Sequence, residues 1–165
     1  MSEITINEIP PSFESQYKKL VHQALIDDHE CFRISPNDDL DIPFLTSEND
    51  CITLGAFEED ELIGVATFKR EGSNREKLRH KGLLSRMIVS TNHRGKGIGK
   101  QLISEIIRRA REIEDIEQIN LTVIPTNEKA KSLYEQFGFK TFASEPNAIK
   151  WKGRYFTEDQ MVLLL

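Results

Sequence analysis

Cysteine is scarce in this sequence, which has only Cys31 and Cys51 among its 165 residues. The two are not arranged as CxxC and do not cluster with histidine, which is the spacing that zinc sites use. We therefore expect reduced, structural thiols rather than a disulfide or a metal centre. A chain of this length can bury a core without such cross-links. No internal repeat or linker is visible, so we expect one domain over residues 1–165.

Long apolar runs and an excess of basic charge are also missing. No stretch approaches the roughly 20 apolar residues of a membrane span. Met1–Ile9 has no basic segment followed by an apolar block, as a signal or transit peptide would have. We expect a cytoplasmic protein with no membrane partner. The formal net charge is -5, and acidic residues dominate the first third of the chain, which argues against a nucleic-acid partner and suits a small or cationic substrate.

Hydrophobic periodicity predicts helices and strands along the chain. A first helix is expected to begin near Ser12, followed by a loop over Cys31–Asp50 with room for a short helix. Two β-rich runs separated by an acidic turn then predict an antiparallel hairpin. The later segments are predicted from the same patterns. In order, the strands and helices from the hairpin onward are strands Ile52–Phe57, Leu62–Phe68 and Gly82–Val89, a helix from Gly97 to about Ile113, a strand Ile119–Ile124, a helix from about Asn127 to Gly138, and strands near Lys140–Ala143 and Gln160–Leu165.

A basic, glycine-rich loop, Arg94–Lys100, lies between a predicted strand and a predicted helix. The unpaired N–H groups and the dipole of a helix N-terminus attract anions, and glycines allow close approach of a phosphate. The P-loop pattern fails, because Arg94 stands where its first glycine is required and Gln101 stands where Ser or Thr is required. The glycines also miss the GxGxxG spacing of dinucleotide-binding folds. A different diphosphate ligand is therefore predicted.

A second motif pairs Asn127 with Tyr134. Their separation of seven residues spans nearly two helical turns and places both on the same helix face, where one ligand could contact both. Each residue also has a structural explanation. Asn127 is a good helix N-cap, and Tyr134 is a good core aromatic beside Leu133 and Phe137.

The two motifs together resemble the GNAT superfamily of N-acetyltransferases. Arg94-x-x-Gly97-x-Gly99 is similar to its acetyl-CoA signature, and Asn127-x-x-Ala130-x-x-Leu133-Tyr134-x-x-x-Gly138-Phe139 is similar to its second motif. His80-Lys81-Gly82 and the C-terminal segment from Ala148 are similar to small bacterial-type members. The resemblance implies an α/β fold with a central, mixed, mostly antiparallel twisted sheet of six to seven strands and about four helices.

The resemblance also implies a donor site for acetyl-CoA. Backbone amides of Gly95, Lys96, Gly97, Ile98, Gly99 and Lys100 would bind the pyrophosphate, with Arg94 and Lys96 adding positive charge. The main chain of Met87, Ile88 and Val89 would pair with the pantetheine arm. Asn127 would contact CoA, and the Tyr134 hydroxyl would lie beside its sulfur. Acetyl transfer by direct attack through a tetrahedral intermediate needs a proton donor for the thiolate and a donor for the oxyanion. We assign these roles to Tyr134 and to the N–H of Val89.

The acceptor is expected to be a primary amine of a small molecule or peptide. Acidic bias suggests a polyamine, an aminoglycoside or a lysine-bearing peptide. The general base stays open among Asp28, His29, Glu30, His80 and a water chain. Trp151, Tyr155 and Phe156 are candidates for the acceptor pocket, although packing explains them equally well. Two alternatives to an N-acetyltransferase are a non-catalytic CoA-binding module and an acyltransferase that uses a longer acyl-CoA. The sequence leaves monomer and homodimer open.

Overall fold

The computed structural model describes residues 3–44, 46–48 and 50–165. Within those ranges the chain forms seven strands and four α-helices, as the resemblance to GNAT proteins implied, so the predicted fold class is confirmed. In chain order the elements are β1 (Ile4–Glu8), α1 (Glu14–Asp27), α2 (Pro36–Asp39), β2 (Cys51–Glu58), β3 (Glu61–Arg70), β4 (Lys81–Val89), α3 (Ile98–Ala110), β5 (Gln118–Val123), α4 (Glu128–Gln136), β6 (Lys140–Trp151) and β7 (Arg154–Leu164).

The strands form one sheet in the order β1-β2-β3-β4-β5-β7-β6. Neighbouring strands are antiparallel except β4 and β5, which are parallel. This parallel pair is short, because only Lys81–Leu83 of β4 lies opposite Gln118–Asn120 of β5. Beyond Leu83 the two strands no longer pair, and the sheet opens into a gap toward the C-terminal end of β4.

A bulge in β4 bends the strand beside this gap. Val65 of β3 lies opposite Ile88, and Thr67 lies opposite Ser85, so β4 carries one residue more than its partner over this stretch. Arg86 lies within the bulge and has a φ of 50°. Bulges end regular pairing and redirect a strand, so the last residues of β4 run along one side of the opening.

The backbone of Val89 faces the gap. The Ser90 N–H donates to the carbonyl of Ile63 at 2.8 Å, which makes Ser90 and Ile63 a hydrogen-bonded pair of the β3–β4 ladder. Pairs in an antiparallel ladder alternate between bonded and non-bonded types. The next pair, Gly64 and Val89, is therefore of the non-bonded type. The N–H and C=O of Val89 consequently point away from β3, toward the side where β5 has separated.

Two hydrophobic clusters cover the two faces of the sheet. The first lies under α3, whose buried stripe follows the predicted helical spacing. The second lies under α1, which buries Tyr17, Val21, Ala24 and Leu25 against β3 and β4. The helix predicted from Ser12 begins at Glu14, since Pro11–Phe13 forms a short 3-10 turn first. The two helices meet the gap from opposite faces of the sheet.

Two parts of the sheet differ from the sequence prediction. The edge strand β1 was not predicted, although Ile4 and Ile6 alternate with polar residues and pack on the α3 cluster. The two short C-terminal strands are in fact a long hairpin, which turns at Lys152–Gly153. Both turn residues have positive φ, at 47° and 78°, as a tight hairpin turn requires. Most of β6 was not predicted because the strand is largely exposed, and a strand without a buried face has no hydrophobic alternation.

Candidate active site

A cleft of about 590 Å³ lies beside the C-terminal end of β4, where the strand no longer pairs with β5. The end of β4, the glycine-rich loop, the first turns of α3, one face of α4 and the end of α1 all contribute to its walls. The lining residues are Ala24, Asp28, Cys31, Phe32, Met87, Ile88, Val89, His93, Arg94, Gly95, Gly97, Ile98, Gly99, Lys100, Asn127, Lys129, Ala130, Leu133, Tyr134 and Gln136. The two sequence motifs, separated along the chain, therefore face one cavity.

The glycine-rich loop presents free backbone donors to the cleft. Gly95 and Gly97 have φ of 79° and 81°, a left-handed conformation that glycine adopts without strain. A Cβ at either position would meet no atom within 4 Å, so open space lies in front of both. Gln101 N–H makes the first helical hydrogen bond of α3, to Gly97, which leaves the amides of residues 98–100 without helical acceptors. This is the geometry that binds an anion.

Arg94 is already engaged at the cleft wall. Its Nε donates to the carbonyl of Val89 at 3.1 Å, and its Nη2 lies 2.5 Å from Oδ2 of Asp28 at the end of α1. The ion pair thus connects α1 with the loop across the cleft mouth. Of the two loop side chains predicted to add positive charge, Arg94 lines the cleft, whereas Lys96 is exposed and outside the lining. Lys100, predicted to contribute only its backbone amide, is also part of the lining.

Asn127 caps α4 and also contacts Cys31. Its Oδ1 accepts a hydrogen bond from the Ala130 N–H at 3.3 Å, which confirms the N-cap interpretation. Its Nδ2 donates to Sγ of Cys31 at 3.4 Å. The side chain is therefore fixed at the cleft wall by two interactions, and it joins α4 to the turn that follows α1.

Tyr134 lies about two turns further along α4 and is 7% exposed. Its ring packs edge-on against Phe139, with the ring centroids 5.8 Å apart. Tyr134 is one of the lining residues, and its hydroxyl makes no hydrogen bond within the described part of the chain. Burial raises the pKa of this phenol. The group therefore stays protonated through the neutral range and has a hydrogen bond to donate.

A chain of three polar side chains supports the turn before the loop. His93 Nδ1 lies 2.6 Å from the Ser90 hydroxyl, and its Nε2 lies 3.2 Å from Oε2 of Glu58. The imidazole thereby connects the end of β4 with the β2–β3 hairpin. Because His93 lines the cleft and lies just before Arg94, this chain fixes where the glycine loop begins.

Of the predicted acceptor and base candidates, only Asp28 lines the cleft. Asp28 lines the cleft but is paired with Arg94. Glu30 lies just outside the lining and is 3.3 Å from Arg154, and the exposed His29 is 3.9 Å from Glu30. His80, Trp151, Tyr155 and Phe156 are outside the cleft lining. His80 precedes β4 at the end opposite Val89, and the three aromatics lie around the turn of the β6–β7 hairpin.

The model of the acetyltransferase (GNAT) family matches residues 17–139 of the chain. The chain belongs to the GNAT family. A GNAT relative with a curated activity, the spermine/spermidine N(1)-acetyltransferase of Bacillus subtilis, is 27% identical over 88 residues. That match covers 53% of this chain and 58% of the relative, which is less than two thirds of the relative's length.

Solved GNAT structures share the whole fold. An acetyltransferase of the family from Streptococcus pneumoniae superposes with a TM-score of 0.83 at 22% identity, covering 99% of this chain and 100% of that chain. Arabidopsis thaliana NAA60 in complex with acetyl-CoA gives a TM-score of 0.77 at 20% identity, with 99% of both chains covered. At these identities the likeness shows the fold that this GNAT chain has in common with them.

Several lining residues were missed by the sequence prediction. Cys31, Phe32 and Ala24 reach the cleft because α1 ends beside the loop, and only the packing of that helix on the sheet shows this. Lys129 lies in the first turn of α4. A single lysine in a helix has no sequence pattern that separates a ligand-binding residue from an ordinary exposed one. Among the described residues of this GNAT protein, no group of three or more His, Cys, Asp or Glu side chains could hold a metal ion. No helix in those same segments is long and apolar enough to cross a membrane.

Proposed function

We propose that this GNAT protein transfers the acetyl group of acetyl-CoA to a primary amine of a small molecule or peptide. One observation supports this most strongly: the free amides of the glycine loop, the exposed edge of β4 and the unpartnered Tyr134 hydroxyl all face one cleft. Together these groups suit a diphosphate, an extended amide-bearing arm and a thioester sulfur. Family membership and the acetyl-CoA complex of the structural neighbour NAA60 favour the same ligand.

The loop end of the cleft fits the pyrophosphate. Its donors are backbone amides at the start of α3, where the helix dipole adds a partial positive charge. Gly95 and Gly97 leave space in front of these donors. Lys100 and Lys129 add full positive charges along the cleft wall. Arg94 completes this set only if it exchanges its contact with Asp28 for one with the phosphate.

The edge of β4 fits the pantetheine arm. Val89 directs its N–H and C=O away from β3 and into the gap, in the way that an unpaired strand edge receives an added strand. Arg94 Nε already donates to the Val89 carbonyl. The Val89 N–H makes no ladder hydrogen bond to β3 in this register, and we assign it to the oxyanion that develops on the acetyl carbonyl.

Tyr134 serves the leaving group. Acetyl-CoA supplies a thioester carbonyl for attack by the amine, with loss of the CoA thiolate. The Tyr134 hydroxyl donates a hydrogen bond to the sulfur and passes its proton as the C–S bond breaks. Because burial raises the pKa of the phenol, a lasting phenolate is disfavoured and the hydroxyl must regain its proton within each turnover.

The choice of acceptor class depends on the charges around the cleft and on a relative. The acidic residues near the cleft are largely neutralised, since Asp28 pairs with Arg94, Glu30 with Arg154 and Asp39 with Arg86. None of the paired carboxylates is a free base, so we assign removal of the amine proton to solvent in the cleft mouth. A polyamine acceptor is favoured by the B. subtilis relative, which is named for spermine and spermidine. A cytoplasmic location stays a prediction.

The test compares two buried tyrosines. Tyr134→Phe removes the hydroxyl from the cleft, whereas Tyr17→Phe removes one that lies on the α1 face, outside the lining. An acceptor screen of spermine, an aminoglycoside and a lysine-bearing peptide first finds a substrate by its acetyl-CoA-dependent mass gain. We then expect Tyr134→Phe to lower kcat by about 100-fold, with acetyl-CoA affinity by calorimetry little changed. Normal kcat in Tyr134→Phe, or an equal loss in Tyr17→Phe, would remove the proton-donor role. Absence of heat with CoA and acetyl-CoA would contradict the proposed function itself.

A further inference from the structure

Cys31 is a solvent-accessible thiol inside the proposed donor site. It ends the short turn His29–Cys31 after α1, is exposed, and lines the cleft. Its Sγ accepts the hydrogen bond from Asn127 Nδ2 at 3.4 Å, so the thiol is held against α4. The second cysteine, Cys51, begins β2 and is outside the cleft lining. The chain therefore contains one thiol in the site and one thiol away from it.

A second residue of the same cleft, Tyr134, is the one proposed to contact the CoA sulfur. Tyr134 on α4 is buried, lines the same cleft as Cys31, and its hydroxyl makes no hydrogen bond within the described segments. The phenol is the group to which we assign the sulfur of CoA. A CoA sulfur that meets Tyr134 thus lies on the wall of the cleft that also carries Cys31.

We infer that Cys31 is a modification site that forms a reversible mixed disulfide with CoA in the donor cleft. The inference rests on the proposed function, since the cleft must bind the nucleotide part of CoA. Bound in this way, the reacting sulfur has a high effective concentration at Cys31. Occupation by the disulfide-linked CoA would exclude acetyl-CoA until a thiol reductant released it.

The co-reactant is CoA disulfide, the oxidised dimer of CoA. The Cys31 thiolate attacks one sulfur of the dimer, one S–S bond breaks while another forms, and the leaving CoA thiolate takes up a proton. No further oxidant is consumed. Because Cys31 is exposed, the leaving half of the dimer can extend into solvent.

The reaction should be slow at neutral pH and faster above it. Burial raises the pKa of the Cys31 thiol, the charge of Asp28 adds to this effect, and Glu30 acts in the same direction. The Asn127 hydrogen bond and the positive charge of Arg94 oppose the increase. The thiolate is the attacking species, so the rate of adduct formation should increase with pH through the range in which the thiol ionises.

The experiment uses the full chain with CoA disulfide and with glutathione disulfide. Wild type, Cys31→Ser and Cys51→Ser are incubated with each disulfide, and the adducts are followed by intact-mass spectrometry and located by peptide mapping. We expect one CoA on wild type and on Cys51→Ser, none on Cys31→Ser, and release of the adduct by dithiothreitol. The CoA disulfide should react at least about tenfold faster than glutathione disulfide, and saturating acetyl-CoA should suppress only the faster reaction.

Equal rates with the two disulfides, an adduct on Cys51, or no protection by acetyl-CoA would overturn the inference. Calorimetry of acetyl-CoA on wild type and Cys31→Ser separates this failure from that of the proposed function. Binding of acetyl-CoA without a Cys31 adduct overturns the modification site alone. Absence of binding to both proteins overturns the proposed function, and the modification site with it.

Discussion

Substituting Gly97 by alanine tests whether the glycine loop binds the donor. Gly97 has a φ of 81°, and a Cβ there would meet nothing within 4 Å. Alanine would therefore not clash, and its cost comes from the left-handed backbone, about 1 kcal/mol. For a chain of this size, that corresponds to a decrease in Tm of about 2–4 °C. A methyl group on the open side of the loop would also occupy the space in front of the free amides, where the phosphate is proposed to bind.

The hairpin turn provides a matched control. Gly153 has a φ of 78°, a Cβ there would likewise meet nothing within 4 Å, and the residue is outside the cleft lining. Gly153→Ala should lower the Tm by a similar amount, because the backbone cost is the same. Only Gly97→Ala should lose affinity for CoA, by about tenfold, which is about 1.4 kcal/mol. The difference between the variants isolates ligand binding from stability.

Thermal unfolding and isothermal calorimetry with CoA measure the two effects separately. If Gly97→Ala and Gly153→Ala bind CoA equally well, the amides at the start of α3 do not hold the pyrophosphate and the proposed donor orientation is wrong. If Gly97→Ala keeps the wild-type Tm, the left-handed conformation at this residue is not required in solution.

Two further predictions concern charged residues. Asp28→Asn should strengthen CoA binding by up to about fivefold at low salt, because it breaks the ion pair that holds Arg94 and such exposed pairs are weak. Calorimetry at two salt concentrations measures this effect. A lower kcat with unchanged CoA affinity would instead identify Asp28 as the base. Hydrogen bonds from Arg108 and Arg109 lower the pKa of Glu105 to about 2. Because Glu105 is partly exposed, solvent screening reduces the associated stabilisation, and Glu105→Gln should destabilise the protein by about 1 kcal/mol at neutral pH. A carboxylate with a lowered pKa stabilises the fold above its ordinary pKa of 4.5, so the difference in Tm between wild type and variant should shrink as the pH falls from 4.5 toward 2, and a difference that stays constant would contradict the assignment.

Elements that bury one face were predictable from the sequence. The stripe of α3 and the apolar runs of β2 and β3 follow periods that burial imposes, and each appears within a few residues of the predicted position. Strand β6 was mostly missed because it is an exposed edge strand, and β1 because only two of its residues, Ile4 and Ile6, turn toward the core. Hydrophobic periodicity reflects burial, so it does not predict a strand that buries few side chains.

The site divides in the same way. The loop was predictable as an anion site because glycines beside a helix start suit backbone binding of a phosphate. The α4 motif was found through its resemblance to the GNAT family. The pairing of Arg94 with Asp28 and the contact of Asn127 with Cys31 join residues 66 and 96 positions apart, and no local spacing encodes them. Acceptor residues could not be assigned for this reason, since they depend on how α1 and the β6–β7 hairpin pack around the gap.

The early separation of β4 from β5 affects which amino-acid substitutions the site can tolerate. A site built on main-chain groups survives substitution of most side chains around it, because every residue except proline carries the same amide. In the proposed donor site main-chain groups hold the nucleotide, so we expect that side chains on α1, on the segment that follows it and on the C-terminal hairpin could vary to suit a different amine. Proteins with about one residue in five in common with this chain keep the same fold.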